Sequence, residues 1–187
     1  MTKLEMKKDA LALIEELDPS SEYLTEDPDI ADKIDSVMNH VMYELARVKK
    51  IPKYLEMAVK AGQLVTFAEL EKACGYEIYQ VKKFGGVDNE IKADGTVYKI
   101  NESGTAEVEV YVYPERITEK TRDKAYEFEL SPDVLEIMPY GIAADLLKSD
   151  ESAQYGRIYA DRYEAMKQRL ERTYKTTTLR FKTRRIF

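Results

Sequence analysis

No tryptophan, one cysteine and one histidine occur in 187 residues, and each scarcity closes off a kind of chemistry. The lone Cys74 cannot form an internal disulfide, and such a chain suits a reducing compartment. The lone His40 leaves no multi-histidine metal centre and would have to serve any Ser–His–Asp triad by itself. No apolar run approaches the roughly 18 residues of a membrane span. The opening MTKLEMKKDALALIEELD is too acidic, and too short in its apolar stretch, for a secretion signal. Gly85-Gly86 and Gly95 lack the spacing and the following Lys-Ser/Thr of a phosphate loop. The chain is expected to act where it is made, with no membrane, metal or cofactor.

What is present is unevenly distributed. Hydrophobic residues make up 44% and charged residues 34%, ordinary for a globular protein with a real core. Residues 175–187 (KTTTLRFKTRRIF) carry five positive charges and no acid. The total charge of −6 less the tail's +5 therefore leaves −11 for residues 1–174. A cationic, apolar terminus on an anionic trunk is the pattern of an arm held by another polypeptide. Fourteen tyrosines provide broad, stiff contact surface with a polar tip, suited to faces shared between subunits or to half-buried sheet and helix faces.

Along the chain, Thr2 and Glu5 have capping-box spacing, and Met6, Ala10, Leu13, Ile14 and Leu17 follow at helical intervals. Asp27 and Pro28 open a second helix with the stripe Ile30, Ile34, Val37, Val41, Leu45 and Val48. Tyr54 to Ala61 reads as one more short helix before Gly62. The period then shortens. Glu77 to Phe84 is β-rich, Asp94-Gly95 marks a hairpin, and Thr105 to Tyr113 alternates cleanly, with Ala106, Val108, Val110 and Val112 on one face. Tyr126 to Leu130 offers another strand. Ser131-Pro132 restarts helix, Pro139 kinks or restarts it, and a final helix to about Tyr174 presents Tyr155, Tyr159, Tyr163, Met166, Leu170 and Tyr174 on one face. The expected fold is α+β and mainly α: a helical bundle with a small antiparallel β-meander insertion and an extended C-terminal arm. The expected divisions are 1–63 and 131–174 for the bundle, 64–130 for the insertion and 175–187 for the arm.

No reactive constellation emerges, and the chain reads as a non-enzyme. Cys74, in Ala73-Cys74-Gly75, has nothing nearby to activate a thiol and reads as a structural residue. Asp27/Asp29 reads as helix-start chemistry, and Glu107/Glu109 as the wet face of a strand. In the tail, Leu179, Phe181 and Thr183 alternate with Arg180, Lys182 and Arg184, the period of an added strand. Fully stretched, that tail reaches about 45 Å, enough to cross onto a neighbour. The candidate protein-interface residues are Leu179, Arg180, Phe181, Lys182, Arg184, Arg185, Ile186 and Phe187.

Gly104 to Leu170 resembles one known family. The matching stretch runs from Tyr111-Val112-Tyr113-Pro114 through Ile117-Thr118 and the acidic Tyr126 to Leu130 segment. It continues into Ile137 to Asp150 (IMPYGIAADLLKSD) and a tyrosine-bearing helix. This is similar to the head–tail connector (adaptor, or neck) proteins of tailed bacteriophages and prophages. The resemblance implies a virion structural protein, made in the bacterial cytoplasm. It would form a homo-oligomeric, dodecameric ring that binds the portal protein and a tail or stopper protein. Genomic DNA would pass through the ring without sequence-specific binding. An acidic trunk would repel DNA phosphates, while the arm docks on the portal or a neighbouring subunit. The alternatives are a tail-terminator or tail-completion protein, a packaging accessory protein holding DNA through the tail, and a hydrolase built on Cys74 or His40.

Overall fold

The computed structural model describes residues 1–92, 95, 97–148 and 153–183, with residues 153 and 175–183 as backbone only. In chain order the elements are α1 (Lys3–Leu13), α2 (Pro28–Val48), β1 (Ile51–Val59), β2 (Leu64–Thr66), α3 (Phe67–Cys74), β3 (Ile78–Gly85), β4 (Asn89–Lys92), β5 (Val97–Ile100), β6 (Gly104–Val112), α4 (Pro132–Leu135), α5 (Met138–Leu146) and α6 (Ala153–Thr183). They form two compact units. Unit 1 joins Met1–Lys49 to the chain from Arg116 onward, and unit 2 is Lys50–Glu115.

Unit 1 is built from helices. Thr2 accepts from the Glu5 N–H while the Glu5 carboxylate takes the Thr2 N–H, so two unpaired donors are satisfied at the start of α1. Asp27 caps α2 through the N–H groups of Asp29 and Ile30, with Pro28 just inside. The buried side of α2 is Ile30, Ile34, Met38, Val41, Met42, Leu45 and Ala46. All of these but Ala46 pack with Met6 and Leu11 of α1, Met138 and Ile142 of α5, and Tyr163 and Leu170 of α6. A Cβ at Gly141 would lie 2.8 Å from both Tyr163 and Val41, so α5 approaches α2 and α6 as closely as it does only because the side chain there is a hydrogen.

A buried ion cluster fixes α1. Lys3 Nζ is 2.7 Å from Asp35 Oδ2 and 2.8 Å from Asp123 Oδ1, and Lys7 bridges the same two carboxylates at 2.9 and 3.3 Å. Burial alone would lower the Lys3 pKa, but bonds to Asp123 and Asp35 outweigh it and raise the value. Asp123 moves the opposite way: burial would raise it, and Lys3 and Lys7 hold it below the ordinary carboxylate range.

Unit 2 is a pair of three-stranded antiparallel sheets, ordered β1-β6-β3 and β2-β5-β4. β6 is central, paired with β1 from Ile51↔Val112 to Val59↔Gly104 and with β3 across two register shifts. Its alternate residues Ala106, Val108, Val110 and Val112 are buried with Val59, Val65, Leu70, Ile78, Tyr98 and Ile100. Phe84 stacks on Tyr98 with ring centroids 4.5 Å apart. Gly86 follows β3 at φ +83°, where a Cβ would meet the Thr105 carbonyl oxygen at 2.5 Å. Only glycine fits that turn.

Several expectations are corrected. The chain is a mixed α/β fold, 46% helix and 23% strand, not a helical bundle carrying a small insertion. The β portion has its own core and starts at Lys50 rather than 64, ending at Glu115 rather than 130. Tyr54 to Ala61 is not helical. It falls in β1 and the turn after it, because Ile51, Leu55, Met57 and Val59 find a matching partner in β6, a long-range pairing that outweighs local preference. The strand order is not a meander, since β6 lies between β1 and β3. Tyr126 to Leu130 supplies only an isolated bridge, Thr2↔Glu127. The extended arm is replaced up to Thr183 by the continuation of α6. Lengthening a formed helix gains one hydrogen bond per residue fixed, whereas a lone strand gains none, and Leu, Arg and Lys are good helix formers.

Candidate functional site: a groove beside helix α1, a polar pocket and the basic terminus

The predicted interface residues divide between two regions. Leu179, Arg180, Phe181 and Lys182 belong to the last turns of α6, described as backbone only, and Arg184, Arg185, Ile186 and Phe187 lie outside the described residues. The tyrosine face of that helix is used in part. Tyr163 and Leu170 are buried, whereas Tyr155 is 58% exposed.

His40 lines a pocket of about 420 Å³ in unit 1, formed by α2, α5 and α6. Its Nδ1 is 2.8 Å from Asp145 Oδ2, and its side chain is largely exposed. Tyr163, Glu44 and Glu164 also line it: the Tyr163 hydroxyl donates to Glu44 at 2.7 Å, and Lys167, outside the lining, donates to Glu44 at 2.5 Å and also to Glu164. Burial and the Glu44 charge push the Tyr163 hydroxyl far up, so it stays protonated as a donor. Burial would raise Glu44, but Lys167 and Tyr163 more than reverse it and hold it ionised. Burial would likewise lower Lys167, and its two carboxylates keep it charged. A His–Asp pair can orient an imidazole as a base. Among the described residues lining this pocket, however, there is no serine, threonine or cysteine for it to activate. The pocket's satisfied pairs instead clamp α6 to α2.

Cys74 belongs to unit 2 and His40 to unit 1. The Cys74 thiol donates to the Glu71 and Tyr76 carbonyls at the end of α3, a local structural arrangement. Asp27 caps α2 as expected, and Glu107 and Glu109 lie on the outer side of β6. Lys82 donates to Glu109 at 2.6 Å, and Lys50 sits 4.5 Å from the centre of the Tyr111 ring.

Sequence reading missed a second feature of unit 1. A groove of about 730 Å³ runs beside α1, lined by Met1, Asp9, Ala12, Leu13, Pro132, Leu135, Glu136, Pro139 and Tyr140. Helix α6 borders it: Tyr159 donates its hydroxyl to the Leu13 carbonyl, and Arg162 lies 4.4 Å from the centre of the Tyr140 ring. One turn before these, Tyr155 and Ile158 are exposed by 58% and 63%. Asp9 and Glu136 are the charged side chains that line the groove, and Arg162 lies at its α6 border. The signal was available in α1, whose apolar residues do not share one face. Met6, Ala10 and Leu11 enter the core, while Ala12 and Leu13 turn to the groove.

The chain matches no protein-family model and no curated protein.

Proposed function

We infer that the chain is a structural subunit of a tailed-phage neck, forming a ring that joins the portal vertex to the tail, with its C-terminal segment as the attachment. The observation that carries the reading is the charge division: residues 175–187 hold +5 and no acid, on a trunk of −11. The long helix α6 leads into that segment, and its last buried described side chain is Leu170. An acidic trunk repels nucleic-acid phosphates, which suits a conduit that must release DNA. The connector resemblance in Gly104 to Leu170 supplies the particular assembly.

The test is electron microscopy of particles made with the full chain or with residues 175–187 deleted. The intact chain is expected as density between head and tail. The deleted chain should give tailless heads while keeping its melting temperature, its helical circular dichroism falling only by the share of α6 removed with residues 175–183. Normal head–tail joining by the deleted chain, or absence of the intact chain from the neck, would overturn the reading. A salt-sensitive DNA affinity lost on Arg184→Ala with Arg185→Ala would favour the packaging accessory role instead.

A further inference from the structure

We draw no further inference here: the strongest candidate, the outer face of the β1-β6-β3 sheet, where Glu56 stands directly opposite Glu107 beside Glu109 around a cleft of about 450 Å³, carries nothing, because Lys82 and Lys83 already pair with Glu109 and Glu107 and nothing in the structure shows what covers it.

Discussion

The two units answer the same demand, burying apolar surface, with different materials. Unit 1 packs long, flexible side chains (Met6, Met38, Met42, Met138) between helices and fastens them with ion pairs. Unit 2 packs β-branched residues (Val59, Val65, Val108, Val110, Val112) and a stacked Phe84–Tyr98 pair. The difference reaches their electrostatics. Among the described residues, every carboxylate held below its ordinary range, namely Glu5, Asp18, Glu44, Asp123 and Asp133, belongs to unit 1. Helices leave termini and exposed stripes where charges meet across elements. A two-sheet core closes mainly through its ladders.

The largest test of this division is paired core truncation. Leu45→Ala in unit 1 should cost about 3 kcal/mol, and Val110→Ala in unit 2 about 2 kcal/mol, since both side chains are fully buried. Hydrogen exchange should show protection falling chiefly in the unit that carries the change. Equal loss across both units for either variant would erase the distinction.

Acid should separate the units next. The lowered carboxylates contribute stability that is fully present above their ordinary values of 3.8 for Asp and 4.5 for Glu, and lost as pH falls through their lower folded values. Unit 1 is therefore expected to lose exchange protection first on titration below about pH 4, ahead of unit 2. Lys3→Met, which removes the cation shared by Asp35 and Asp123, should cost about 2 kcal/mol at neutral pH, below the full price of breaking a buried pair because both carboxylates are a third exposed. It should also flatten the acid response. An unchanged acid profile in that variant would remove the ion cluster from the explanation.

The smallest effect is a matched one. Thr2→Ala and Thr66→Ala each delete a complete capping box, one per unit, and each should cost about 1 kcal/mol by chemical denaturation. Markedly unequal costs would mean that the helix starts depend on their surroundings more than on the caps.

Local signals survived best in the passage from sequence to structure. Thr2 with Glu5, Asp27 with Pro28, the alternation of Ala106 to Val112, and the hairpin formed by β4 and β5 all appear where their patterns put them. What failed was decided by distant partners. β1 carries Lys53, Glu56 and a mixed apolar pattern, and it is a strand because β6 pairs with it from the far end of the unit. Helix α3 was overlooked although Thr66 and Glu69 form a box and Gly75 closes it at φ +76°, a readable local signature. The groove beside α1 was less accessible to sequence reading, because it needs Leu13 and Pro139, far apart in the chain, to meet. The basic terminus stood out by charge alone, yet its alternation pointed to a strand where α6 continues to Thr183.

Unit 1 is assembled from two stretches of chain separated by all of unit 2, and this orders events on the ribosome. Helices α1 and α2 emerge first, with Met6, Leu11, Met38 and Met42 lacking the α5 and α6 side chains that later cover them. The β unit, continuous in the chain, can finish folding as soon as Glu115 is clear. The nascent polypeptide thus carries two helices with uncovered apolar sides until Ile142 and Tyr163 arrive, an interval in which a holding chaperone would find its natural client.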